Sequence, residues 1–166
     1  DEPHLVASSL PGIPVVVGRK RPEAARMAWE RFRPEVIILD DAFQHLQLRR
    51  DVDIVALDAL SPFGNGMLLP RGILREPPCG LARAKAAIFT RFEGEPPSRE
   101  LENAIQRFNP ELEVFYSRHI PRAVRRLSDG TASDPRCIKG KKIAALSNIA
   151  NPGSFHRVLE SLGGEI

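Results

Sequence analysis

The stretch Val36-Ile37-Ile38-Leu39-Asp40-Asp41-Ala42-Phe43-Gln44-His45 decides the class of fold. Four consecutive aliphatic residues without polar alternation describe a strand covered on both faces, as in parallel sheets flanked by helices. Ligands of such open sheets bind outside the carboxyl ends of the strands, and this strand delivers two adjacent carboxylates there. Upstream, Ile13-Pro14-Val15-Val16-Val17-Gly18 is a second β-branched run closed by glycine. Pro22 then suits the first turn of a helix whose Ala24, Ala25, Met27, Ala28, Trp29 and Phe32 share one side, and Arg33-Pro34 ends it. Downstream, strands are expected at 53–59, 86–90 and 113–118, a short helix at 81–85, and a helix from Ser98 to Phe108. Val124 to Leu127 forms another short piece before the turn Asp129-Gly130. Lys142 to Leu146 reads as a strand, and Asn151-Pro152 opens a helix with Phe155, Val158, Leu159 and Leu162 on its apolar side. Strands alternating with amphipathic helices predict an α/β fold, a mainly parallel sheet with flanking helices.

Composition narrows the function classes. The 166 residues carry 24 Lys+Arg against 21 Asp+Glu and are 42% hydrophobic, a balance that excludes a disordered chain. No stretch approaches the roughly 18 apolar residues of a spanning helix, and Asp1-Glu2-Pro3-His4 has no signal-peptide character. The two cysteines, Cys79 and Cys137, have neither disulfide-framework nor zinc-ribbon spacing, so a reducing, cytoplasmic setting is expected. Arg118, Arg122, Arg125 and Arg126, then Lys139, Lys141 and Lys142, make the later part cationic. One Trp and one Tyr leave few aromatics to interleave with them, so no nucleic-acid partner is expected. The chain opens on Asp rather than Met and closes on a helix followed by Gly163-Gly164, which reads as a piece of a longer protein.

Two constellations carry chemistry. Asp40 and Asp41 at a strand end need a cation if buried, and Mg²⁺ with its waters is a common answer in phosphoryl-transfer sites. The competing reading is a turn or helix cap. The second constellation is the Pro- and Gly-rich segment 61–80, long enough to suggest a functional loop, which contains Leu69-Pro70-Arg71-Gly72-Ile73-Leu74-Arg75-Glu76-Pro77. A guanidinium between prolines suits phosphate oxygens, and the competing reading is a surface loop with a weak Arg-Glu pair. No G-x-x-x-x-G-K-[ST] accompanies the Walker-B-like strand, His4, His45, His119 and His156 have no metal spacing, and no G-x-S-x-G is present.

Taken together, Asp1-Glu2-Pro3, Asp40-Asp41-Ala42-Phe43-Gln44-His45, Leu74-Arg75-Glu76-Pro77 and Ile149-Ala150-Asn151-Pro152 resemble, in order and separation, the tetraacyldisaccharide 4′-kinases of lipid A biosynthesis. The resemblance runs over nearly the whole chain and covers about the middle half of a family member. It implies a P-loop-NTPase-like core fragment at 1–110, joined to the start of a smaller α/β C-terminal subdomain at 111–166. The P-loop and a membrane-associating helix would precede the chain, and a histidine motif would follow it. The implied activity is transfer of the ATP γ-phosphate to the 4′-hydroxyl of tetraacyldisaccharide 1-phosphate, with Mg²⁺, at the cytoplasmic face of the inner membrane.

By the same resemblance Asp1 is the catalytic aspartate, working with the later histidine on the sugar hydroxyl. Glu2, Asp40, Asp41 and Gln44 fall among Mg²⁺ ligands or the groups beside them, with Gln44 also at the cofactor. Arg75 and Glu76 match active-site positions, Arg75 steadying phosphate charge. Ala42 and Asn148 stand where the family has Gly, and the first of these should tighten the turn after Asp41. His45 reads first as a core residue. The 166 residues alone are expected to be inactive without the phosphate cradle. The rival from another class is a non-catalytic module that holds an anionic lipid or phosphate on the same scaffold. Which of Asp40 and Asp41 meets the metal is open, because the answer turns on strand register.

Overall fold

A computed structural model describes residues 2–92, 99–149 and 151–166, apart from the side chain of Glu100. Its elements are α1 (Glu2–Ser9), α2 (Arg21–Phe32), β1 (Ile54–Asp58), β2 (Ala86–Thr90), α3 (Arg99–Phe108), β3 (Glu113–Tyr116), β4 (Val124–Arg125), β5 (Ala132–Ser133) and α4 (Pro152–Ser161). Two 3₁₀ segments, Pro78–Arg83 and Pro135–Ile138, lie between them. The chain forms two compact units, Asp1–Ser117 and Arg118–Ile166.

The first unit is built on a parallel sheet of order β1-β2-β3, with Ala56 opposite Ile88 and Ile88 opposite Phe115. β2 is central because its side chains are small or apolar on both faces: Ala86, Ala87 and Phe89 are all buried. Phe89, 1% exposed, packs with Leu57, Ala87 and Ile105, and Val55, Phe63, Leu101 and Leu112 close around them. Ile105 and Leu101 come from one side of α3, four residues apart, which brings the helix onto the sheet. Asn109, just past α3, donates from Nδ2 to the carbonyls of Leu81 (3.1 Å) and Ala84 (2.8 Å), tying the first 3₁₀ segment to that helix end. Tyr116 stacks on Phe89 with ring centroids 5.7 Å apart.

Several expected elements differ. Residues 13–17 and 36–39 take part in no β-ladder, and Val36 and Ile38 are 74% and 89% exposed instead of buried. β-Branched residues favour extended backbone, but a strand exists only when a neighbour takes its N–H and C=O groups. Residues 36–39 and the edge strand β1 line a common cleft without pairing. The opening of the chain is helical rather than a polar lead-in: Glu2 and Pro3 suit the first turn of α1, and Pro11-Gly12, with Gly12 at φ 89°, follows its end. The short helix expected at 81–85 is the 3₁₀ segment Pro78–Arg83. Ser98, the expected cap of α3, lies outside the described residues.

In the second unit, β4 and β5 form an antiparallel hairpin around Asp129-Gly130, where Gly130 has φ 73°. The strand expected at 142–146 is reduced to one parallel bridge, Lys142 with Glu165, and Leu146 is 97% exposed. That bridge runs beside Gly164, where a Cβ would sit 2.5 Å from Cδ1 of Ile143. α4 begins as expected: Asn151 Oδ1 accepts from the Ser154 N–H at 3.1 Å.

Candidate functional site

The turn 40–46 is shaped by a single left-handed residue. Asp41 has φ 47°, after which the His45 N–H donates to the Ala42 carbonyl at 2.9 Å. Aspartate tolerates this region better than most residues because its short polar side chain bonds locally. Ala42, buried directly after it, is not among the positive-φ residues, so alanine there sets no backbone strain. The same holds for Asn148. His45 is exposed and not part of a core, because the turn carries its ring outward and uses only its backbone. Arg50 anchors the far end, donating from Nη1 to the His45 carbonyl (2.6 Å) and from Nε and Nη2 to the carboxylate of largely buried Asp53 (2.6 and 3.1 Å).

The segment 61–76 is internally hydrogen-bonded. Leu69 N–H donates to the Leu74 carbonyl (2.9 Å), Leu74 N–H to the Met67 carbonyl (3.2 Å), and Asn65 Nδ2 to the Arg71 carbonyl (2.9 Å). This closed loop delivers Arg75 and Glu76 to the turn. Arg75 Nη1 donates to Asp41 Oδ1 at 2.5 Å, and Gln44 Nε2 donates to Glu76 Oε1 at 2.6 Å. Arg83 Nη2 donates to the other oxygen of Glu76 at 2.8 Å. The hydrogen bond from Arg75, and then its charge, hold the Asp41 carboxyl below its ordinary value against some desolvation, with smaller help from His45 and Arg21. The Arg75 guanidinium is raised in turn, chiefly by the same bond.

Asp41, Gln44, Arg75 and Glu76 line a cleft of about 1220 Å³ in the first unit, together with Asp40, Asp58 and the apolar residues of 36–39. Asp58 ends β1, so the carboxyl edge of the parallel sheet opens into it, as the topology of such sheets leads one to expect. Asp58 is held by an ion pair with Arg91 from the end of β2. The structure therefore brings Asp40, Asp41, Gln44, Arg75 and Glu76 to one cavity. Glu2, in the first turn of α1, is not among the cleft-lining residues, and Asp1 lies outside the described residues. The motif Ile149-Ala150-Asn151-Pro152 belongs to the second unit, with Ala150 outside the described residues.

The donor set fits Mg²⁺ in chemistry. Asp40 and Asp41 supply hard oxygens, and the Gln44 amide, donating an N–H hydrogen bond to Glu76, keeps its oxygen as an acceptor. Among the described residues no three His, Cys, Asp or Glu side chains converge as a metal cage. Mg²⁺ does not ask for one, since it binds through one or two carboxylates and keeps waters or phosphates for the rest. Reading the sequence singled out neither Arg83 nor Phe43. Arg83 carries no motif signal, and Phe43, although inside the Asp40–His45 motif, reads only as spacing.

Comparison with known proteins assigns the chain to a family. The family model described as tetraacyldisaccharide-1-P 4′-kinase matches residues 1–166. A tetraacyldisaccharide 4′-kinase of Anaeromyxobacter dehalogenans (strain 2CP-C) is 44% identical over 170 residues, covering 100% of this chain and 44% of the relative. Those of Syntrophus aciditrophicus (strain SB) and Halothermothrix orenii (strain H 168) are 44% and 39% identical over 177 residues, covering 100% of this chain and 46% of each relative. The chain thus spans less than half the length of these curated relatives. No solved structure matches it. With the family model matching from end to end, the chain belongs to the tetraacyldisaccharide-1-P 4′-kinase family.

Proposed function

We propose that this chain is the middle portion of an ATP-dependent kinase that phosphorylates the 4′-hydroxyl of tetraacyldisaccharide 1-phosphate in lipid A biosynthesis. The observation that carries the reading is the meeting of Asp41 with Arg75 and of Gln44 with Glu76, residues 34 and 32 positions apart, in one cleft of a member of this family. Two carboxylates, an amide and a guanidinium are the parts that phosphoryl transfer uses, because its catalysis is mainly positioning and charge stabilisation.

The 4′-oxygen attacks the γ-phosphorus, the bond to the β-phosphate bridging oxygen breaks, and ADP leaves with that oxygen. Asp1 takes the hydroxyl proton. Asp40 and Asp41 would hold Mg²⁺, with Gln44 and Glu2 at or beside it, and the ion neutralises phosphate charge when bound. Arg75 is suited to the phosphate oxygens. Its pair with Asp41 is solvent-exposed at both ends, so exchanging one anionic partner for another costs little. Glu76 keeps Gln44 in place. On this reading residues 1–110 are the P-loop-kinase-like core fragment and residues 111–166 the start of the C-terminal subdomain. Among the described residues no helix is long and apolar enough to cross a membrane. The full-length protein is placed at the cytoplasmic face of the inner membrane, where its lipid substrate lies.

The test is to incubate the full-length protein with γ-labelled ATP, Mg²⁺ and the tetraacylated disaccharide 1-phosphate. Label at the 4′-position is expected, and failure of transfer overturns the reading. The 166 residues assayed alone should give no transfer, because they contain no G-x-x-x-x-G-K-[ST] to cradle the phosphates.

A further inference from the structure

Arg83 lies outside every motif that points to the kinase family, yet three contacts converge on it. Its Nη2 donates to Glu76 Oε2 at 2.8 Å and to the Phe43 carbonyl at 3.3 Å, and its guanidinium carbon lies 4.4 Å from the centroid of the Phe43 ring. Both partners belong to the catalytic loops: Phe43 precedes Gln44, and Glu76 accepts from Gln44 with its remaining oxygen. Both carboxylate oxygens of Glu76 are thereby engaged, one by an amide and one by a guanidinium.

The base of this relay is tied to the packed core. Arg83 ends the 3₁₀ segment Pro78–Arg83, whose Leu81 is buried and whose carbonyl, with that of Ala84, is held by Asn109 at the end of α3. The seat of Glu76 is equally restricted. A Cβ at buried Gly80 would lie 2.4 Å from Glu76 Oε2, 2.9 Å from its Cδ and 3.3 Å from Arg83 Nη1, so any larger residue there makes the carboxylate end shift. The chain of contacts runs from the packed core through Arg83 and Glu76 to the Gln44 amide.

We infer that Arg83 is a positioning residue for this site: through Glu76 and Phe43 it fixes the turn that carries Gln44. A planar guanidinium is required because it stacks on the ring while its N–H groups reach the carboxylate and the carbonyl, which an ammonium does not reproduce. The kinetic part of the test rests on the kinase reading above, and the exchange part does not.

The experiment uses the full-length protein with Arg83→Met, Arg83→Lys, Gly80→Ala, Gln44→Ala and the Gln44→Ala/Arg83→Met double variant. Arg83→Met should raise backbone hydrogen exchange across residues 40–46 by about tenfold while leaving β2 protected. It should lower kcat by about ten- to a hundredfold, the range seen for partners of ligating groups, with KM for the lipid unchanged. Arg83→Lys should recover only part of both effects, and Gly80→Ala, which displaces the Glu76 carboxylate and crowds Arg83 Nη1 without removing a charge, should shift both in the same direction. The double variant should lose little more than Gln44→Ala alone, because the two residues act in series. Unchanged exchange over 40–46 in Arg83→Met, or losses that multiply in the double variant, would overturn the inference. A full-length protein that transfers no phosphate while Arg83→Met still loosens 40–46 would sink the kinase reading and leave the relay standing.

Discussion

Arg75 Nη1 lies 2.5 Å from Asp41 Oδ1, and the two side chains are 58% and 62% exposed. An ion pair this open adds little to stability, so its significance is placement: under the proposed kinase reading it sets a guanidinium suited to phosphate beside a carboxylate suited to Mg²⁺. The pair also depresses the Asp41 pKa below the ordinary 3.8. A depressed carboxyl stabilises the fold above its unfolded pKa, and that contribution disappears as pH falls through the lower folded value. Both partners therefore stay charged at neutral pH, and any loss belongs to the acid range below 3.8. In a carbon-13 titration of the folded protein, the Asp41 carboxyl should titrate below 3.8 and move upward in Arg75→Ala. An unchanged Asp41 curve in that variant would show that Arg75 is not its partner in solution.

Asp41 offers an unusually clean substitution. Its backbone is left-handed at φ 47°, a region asparagine accepts readily, so Asp41→Asn removes the charge while keeping the turn. In the full-length protein it should lower kcat by about a hundredfold or more, with the melting temperature almost unaltered. Asp41→Val confounds charge with backbone, since a branched residue held there costs about 1 to 3 kcal/mol. Kinetics and melting curves of the two variants separate these effects. Wild-type kcat in Asp41→Asn would remove Asp41 from the mechanism and favour an anion-binding role for the cleft.

What the sequence makes legible follows from how local each signal is. α2, α3, α4, β1, β2 and β3 stand close to where periodicity puts them, because amphipathic spacing and short apolar runs are local properties. Val15-Val16-Val17, Val36 to Leu39 and Ile143 to Leu146 look like strands by the same criterion and remain unpaired or nearly so, since pairing depends on a distant neighbour that composition does not name. α1 escaped notice because its eight residues have almost no apolar periodicity, and only Glu2 and Pro3 mark its start. In the site, each carboxylate and guanidinium is visible in the sequence, but their matching is not. Arg75 could have paired with adjacent Glu76. Instead it meets Asp41, and Glu76 turns to Gln44 and Arg83.

Gly72 tests whether the 61–76 loop acts as a rigid bracket for Arg75. A Cβ at this position would lie 2.1 Å from the Met67 carbonyl oxygen and 2.3 Å from Asn65 Oδ1, and both are fixed in the loop's own hydrogen bonds. Gly72→Ala must push the two limbs apart, which moves Arg75 three residues on. Displacements of about 1 Å at a catalytic group can cost on the order of a hundredfold in rate, so kcat should fall at least tenfold. Among the described residues the loop adds nothing to the buried core beyond Phe63, half-buried against its edge, so thermal unfolding should shift little. Full activity in Gly72→Ala would mean that Arg75 is positioned by Asp41 alone.

Asn151 separates a structural role from a chemical one inside the motif Ile149-Ala150-Asn151-Pro152. Its Oδ1 accepts from the Ser154 N–H at 3.1 Å while its carbonyl accepts from the Ser154 hydroxyl at 2.7 Å, so the side chain satisfies one of the free donors that open α4. Pro152 follows at the first helical position, where its missing N–H is no loss. A cap of this kind is replaceable by any short acceptor. Asn151→Ala should therefore destabilise the protein by about 0.5 to 2 kcal/mol in chemical denaturation, whereas Asn151→Asp and Asn151→Ser should remain close to wild type. The rate of phosphate transfer by the folded fraction should follow the same order. If Asn151→Asp keeps the stability but abolishes transfer, the amide itself takes part in the chemistry, and the capping account of this motif fails.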